Sequence, residues 1–148
     1  YFAAKHTVTD SFLKRKEKGF LFTIGDADCH SGVTGEDIHA IFDDPAISYS
    51  SEELLRMAQE SYEVFHVHIL KHNRVLPPTL SRLLPGHLIR VDKENIRRLP
   101  EILISVMQCV NGAKPAQVVK QWDELARPIV SFALEGLDFS AREKGFFF

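Results

Sequence analysis

The sequence predicts an α/β fold, a layered, Rossmann-like parallel sheet flanked by helices. Residues 20–24 (FLFTI) are apolar, aromatic or β-branched on both alternating faces. That is the pattern of a strand covered on both sides, and so of a central strand. Residues 63–70 (EVFHVHIL) and 87–91 (HLIRV) read as a second and a third, shorter strand. Helical segments with start signals alternate with these runs, and strands alternating with helices at this spacing give βαβ units with right-handed crossovers.

Each element has a local reason. Phe2, Thr9, Phe12 and Leu13 share one face of a first helix, and Lys14, Arg15, Lys16 and Lys18 crowd its last turn, where cations suit the negative end of the dipole. Gly19 is expected to stop it. Thr34 with Asp37, and Ser50 with Glu53, set a hydroxyl and a carboxylate at capping-box spacing. They start a short helix over 35–42, ended before Pro45, and a longer one over 51–62 with Leu54, Leu55 and Ala58 turned inward.

Pro77, Pro78 and Pro85 exclude regular structure from most of the segment before the third strand, leaving room for one turn over 79–84. Pro100 fits the first position of a helix carrying Leu103, Val106, Met107 and Val110 on one face, with Gly112 beyond its end. A last helix over 116–135 turns Val119, Trp122, Ala126, Ile129 and Ala133 to one side, and Pro128 is expected to kink or split it. The expected organisation is one α/β domain over 1–136 and a tail over 137–148.

At 148 residues, 45% hydrophobic and 26% charged, the chain can bury a real core. A net charge of -2 with scattered basic residues gives no electrostatic footprint for nucleic acid or an anionic membrane. The longest apolar runs fall far short of the roughly 20 residues that cross a bilayer, and the N-terminus has no secretory pattern. Cys29 and Cys109 sit in different elements, which suggests no disulfide framework and a reducing compartment. A soluble, cytoplasmic protein is the expectation. The chain opens on YFAAKHT with no helix-start signal and closes on three Phe, which suggests a piece of a longer protein or a tail that docks on a surface outside this chain.

Ligands in open α/β sheets bind beyond the carboxyl ends of the strands. That rule selects Asp26, Asp28 and His30 after the first strand, Lys71, His72 and Asn73 after the second, and Asp92 after the third. Gly25 is expected to turn the backbone sharply and leave Asp26 at the mouth, a hard oxygen ligand of the kind Mg²⁺ or Mn²⁺ accepts. Asp26, Asp28 and His30 are the candidate metal ligands. The competing expectation is a solvated loop whose aspartates bond their own backbone.

His66 and His68 share one face of a strand, close enough to share a metal or to hydrogen-bond a neighbouring element. Cys29 has a base beside it in His30, but a neighbouring pair alone does not make a nucleophile. Trp122 reads as core or interface. Gly-x-Ser-x-Gly, Gly-x-x-x-x-Gly-Lys-Ser/Thr and Gly-x-Gly-x-x-Gly are all absent, so serine hydrolase, P-loop and classical dinucleotide readings lack their central element.

The runs AAKHTVTDSFLKRKEKGFLFTIGDAD, VFHVHIL and LLPGHLIRVDKENIRRLPEILISVM, in that order, resemble the later half of von Willebrand factor A-like domains, in particular intracellular bacterial ones. The likeness covers residues 1–111. It implies a metal-ion-dependent adhesion site built from an Asp-x-Ser-x-Ser loop, a Thr, and an aspartate after the fourth strand, to which Asp26 corresponds. The chain contains no Asp-x-Ser-x-Ser; Asp138, Phe139, Ser140, Ala141 and Arg142 come nearest, in the tail. On this resemblance the first three strands and most metal ligands lie outside the chain. It implies a protein-binding module that meets a protein partner through a divalent cation, Mg²⁺, at the carboxyl edge of its sheet. The alternative is a metal-dependent hydrolase using Asp26, Asp28 and His30 with His66 and His68.

Overall fold

The structure, a computed structural model, describes residues 1–71 and 75–140. Strands and helices alternate along the chain around a three-stranded parallel sheet, the α/β class that the strand and helix periods foretell. Its strands are β1 (Gly19–Gly25), β4 (Tyr62–Leu70) and β5 (Leu88–Asp92), in the order β1-β4-β5. The parallel register of β4 and β5 sets His66 opposite Leu88, His68 opposite Arg90 and Leu70 opposite Asp92.

The central strand is therefore β4, in which seven of nine residues are buried. The reading of residues 20–24 as central is corrected, because among the described residues β1 stands at one end of the sheet and none of its residues is buried. Apolar alternation tells that a strand suits cover on both faces, but not which neighbours it has. Two further strands, β2 (Gly32–Val33) and β3 (Tyr49–Ser50), form an antiparallel ladder too short to show as a period. Gly32 is required there, since a Cβ would strike the Tyr49 carbonyl.

The chain packs as two compact units: Tyr1–Phe22 with Asp28–Val64, and Thr23–Ala27 with the described residues from Phe65 onward. In the first, α3 (Ser51–Ser61) packs against β2, β3 and α1 (Phe2–Lys5), and α2 (Gly35–Phe42) buries Ile38. Both hydroxyl caps foreseen for these helices are made. Thr34 accepts from the Asp37 amide at 3.1 Å, and Ser50 and Glu53 close a full capping box.

The single N-terminal helix expected up to Gly19 is instead two short pieces, α1 and a π turn over Ser11–Arg15. The β-branched run Thr7, Val8, Thr9 disfavours helix, and its hydroxyls take other work. Thr7 Oγ1 donates to the Ala3 carbonyl and lies 2.5 Å from the Tyr62 hydroxyl, while Thr9 Oγ1 accepts from the Phe12 amide. Lys16, at φ 59°, ends the π turn upstream of Gly19.

In the second unit α5 (Leu99–Val110), α6 (Pro115–Lys120) and α7 (Ala126–Leu134) pack on one another, and α7 also packs on β5. Phe65, Val67, Ile89, Val91, Ile102, Val106 and Val130 are the heart of this core, each at most 1% exposed. The helix expected over 116–135 is split as foreseen, but at 121–125 rather than at Pro128. Pro128 sits in the first turn of α7, where its missing N–H costs nothing. The break is held by Asp123, whose Oδ1 accepts from the Leu125 and Ala126 amides at 2.9 Å. α4 (Pro78–Leu83) fills the turn allowed among the prolines, and Gly112, at φ 94°, follows α5. No helix among the described residues is long and apolar enough to cross a membrane.

Candidate functional site

The carboxyl ends of the strands bring two of the expected residues into contact. β1 ends at Gly25 and β4 at Leu70, so Asp26 and Lys71 each follow directly on a strand, and Lys71 Nζ lies 3.3 Å from Asp26 Oδ2. Their side chains are 59% and 62% exposed, which leaves the pair open to solvent and weak. Asp92 closes β5 opposite Leu70 and leads into a 3₁₀ turn over Lys93–Arg98. His72 and Asn73 lie outside the described residues, as does the chain from 141 onward.

The turn expected at Gly25 is not made there. Gly25 is the last residue of β1 and has no positive φ, and a Cβ on it would make ordinary contact with His66 Cε1 at 3.6 Å. The chain turns after it, at Asp26 and Ala27.

Asp26 belongs to the second compact unit, Asp28 and His30 to the first. Asp28 Oδ1 accepts from the Cys29 amide at 3.0 Å, the backbone-bonding habit of aspartate in polar loops. The His30 carbonyl accepts from the Ser51 hydroxyl, and the Ser31 carbonyl from the Ser51 amide at 3.0 Å, so the start of α3 pins this loop. Cys29 is a half-buried free thiol. Among the described residues no three His, Cys, Asp or Glu side chains form a group that could hold a metal ion. The fit to a resident cation is accordingly incomplete among the described residues: Asp26 stands at the expected strand end and faces the Lys71 ammonium.

His66 and His68 do share one face of β4, with ring centroids 6.1 Å apart and 7% and 4% of their surfaces exposed. Both are built into the strand interior. His66 Nδ1 meets Thr23 Oγ1 at 2.8 Å, and the His66 amide donates to the His87 carbonyl at 3.1 Å. His87 in turn stacks on Phe65 at 4.5 Å.

Three contacts had no signal in the sequence because they join residues far apart along it: Arg90 with Glu135, Arg98 with Asp123, and Trp122 with Ser105. Arg90 reaches from β5 to the end of α7, donating to the Glu135 carbonyl and carboxylate at 3.2 and 3.0 Å with its guanidinium 4.9 Å from the Phe132 ring centroid. Cation and helix C-terminus suit each other there. Arg98 bridges Glu101 and Asp123, and each carboxyl is held below the ordinary carboxylate range, Glu101 chiefly by the Arg98 hydrogen bond and Asp123 chiefly by the Ala126 amide. Trp122, expected as core or interface, donates its indole N–H to Ser105 Oγ at 2.8 Å.

Tyr1 and His6 both meet Asp44 Oδ2, at 2.6 and 2.7 Å. The hydrogen bond between Tyr1 and Asp44 drives the Tyr1 phenol up to about 12 and the Asp44 carboxyl down. No family model, curated protein or solved structure matches the chain.

Proposed function

We propose that the chain is a protein-binding α/β module, similar to the later half of a von Willebrand factor A-like domain, that meets a protein partner at the carboxyl edge of its sheet through Asp26. The observation that supports this reading is the exposed Asp26–Lys71 pair set directly after two strand ends. An ion pair that open to water contributes little to stability, so an incoming group exchanges with either member at low cost. A partner's carboxylate takes Lys71, or a divalent cation takes Asp26. Mg²⁺ keeps several of its waters and needs more than one carboxylate, so within this reading the partner supplies further oxygen ligands. The buried His66 and His68 are structural here.

Two measurements test it. Proteins retained by the immobilised chain in Mg²⁺ should be lost with Asp26→Ala and on adding EDTA, whereas His66→Ala lowers thermal stability without selective loss. Retention that survives both Asp26→Ala and EDTA sinks the reading. Calorimetric titration with Mg²⁺ and Mn²⁺ addresses the ion directly. Asp26→Ala should abolish the heat, and Lys71→Ala should tighten binding by removing the competing ammonium.

A further inference from the structure

We propose that the chain forms a homodimer in which the β1 strands of two copies pair antiparallel, continuing the sheet across a twofold axis. β1 is apolar on both alternating faces, yet it ends the strand order among the described residues, buries no residue, and leaves Ile24 51% exposed. Apolar strands at a sheet edge are templates for pairing with another chain, and an antiparallel strand at the edge of a parallel sheet is common.

The charges on either side of the strand select the occupant. An antiparallel pair of copies centred on Phe22 sets opposite each other residues placed symmetrically about that position. Phe20 then faces Ile24 of the second copy, Gly19 faces Gly25, and Phe22 faces its own counterpart. One step beyond each strand end Lys18 faces Asp26, and both are exposed. An aromatic against a β-branched residue and a cation against an anion are each favourable cross-strand pairs, and the twofold axis makes every one of them twice. Further out the balance is weaker but of the same sign, since Lys14 and Arg15 are paired with Asp10 and Glu17 while Lys16 precedes the strand and Asp28 follows it. A parallel arrangement of two copies would set Lys18 near Lys18 and Asp26 near Asp26. The sequence is self-complementary in the antiparallel sense alone.

The test is sedimentation equilibrium on the wild-type chain, Lys18→Glu, Asp26→Lys, and an equimolar mixture of the two variants. The wild type should show a concentration-dependent monomer–dimer equilibrium. Each variant alone carries like charges at both ends of the interface, and its dissociation constant should rise roughly tenfold or more. The mixture should regain the wild-type affinity as a heterodimer, because each substituted end then meets an opposite charge. That recovery also proves both variants folded.

A wild-type chain that stays monomeric at every soluble concentration overturns the proposal and leaves the β1 edge to a strand of another protein. Variants that dimerise as tightly as wild type, or a mixture no tighter than its components, overturn it too. The proposal does not rest on the carboxyl-edge reading, although both use Asp26. Mg²⁺ titration of Lys18→Glu, in which Asp26 is intact, separates failure of one from failure of the other.

Discussion

Ser50 does three things at once. Its hydroxyl accepts from the Glu53 amide and donates to the Glu53 carboxylate, and its own amide donates to that carboxylate at 2.8 Å. Ser50→Ala should cost about 1 kcal/mol, measured by urea unfolding, because the first turn of α3 loses its cap. The carboxyl of Glu53 is held below the ordinary glutamate range, first by the Ser50 amide and then by its hydroxyl. The unfolded chain therefore takes up this proton first as pH drops. Glu53 contributes its full stability above the ordinary glutamate range and loses it as pH falls through the lower folded value. Thermal midpoints of wild type and Glu53→Gln should thus differ most near neutrality and converge in acid. Ser105 is a second such residue, fully buried, accepting from Trp122 and donating to the Glu101 carbonyl. Ser105→Ala leaves the indole N–H without its acceptor and should cost about 1–3 kcal/mol. Trp122 is the single tryptophan, so its fluorescence reports the lost contact directly.

At the scale of elements, what could be read from the sequence is what local chemistry decides. The capping pairs Thr34/Asp37 and Ser50/Glu53 mark the starts of α2 and α3, and Pro100 lies in the first turn of α5. The split of the last helix shows the limit. Pro128 signals a break, but the break forms where Asp123 can cap α7 and pair with Arg98, a partner from another helix boundary that no local pattern reveals. Asp123→Ala should therefore lower the denaturation midpoint and loosen α7, whereas Pro128→Ala should be close to neutral because that position needs no amide partner. A Pro128→Ala variant that melted far below wild type would mean that the ring, not Asp123, holds the break. The candidate site is legible to the same degree. Asp26 and Lys71 are each selected by the strand-end rule, but their contact depends on β1 and β4 being neighbours, which is a property of the sheet and not of either segment.

For the whole molecule the consequence is a gradient of protection across the sheet. β4 lies between two strands and is almost wholly buried, β5 carries the fully buried Ile89 and Val91, and β1 has one sheet neighbour among the described residues and no buried residue. Amide exchange from the native state follows the free energy of local opening, which is smallest where few apolar contacts must break. In dilute solution the slowest amides should lie in β4, β5 and the buried face of α5, those of β1 should exchange faster, and α1 with the π turn should exchange fastest. Raising the protein concentration changes only contacts between copies, so it isolates what lies outside the single chain. A slowing confined to residues 18–26 locates the edge that a second copy covers, and a slowing at α6 or α7 instead would assign association to a different surface.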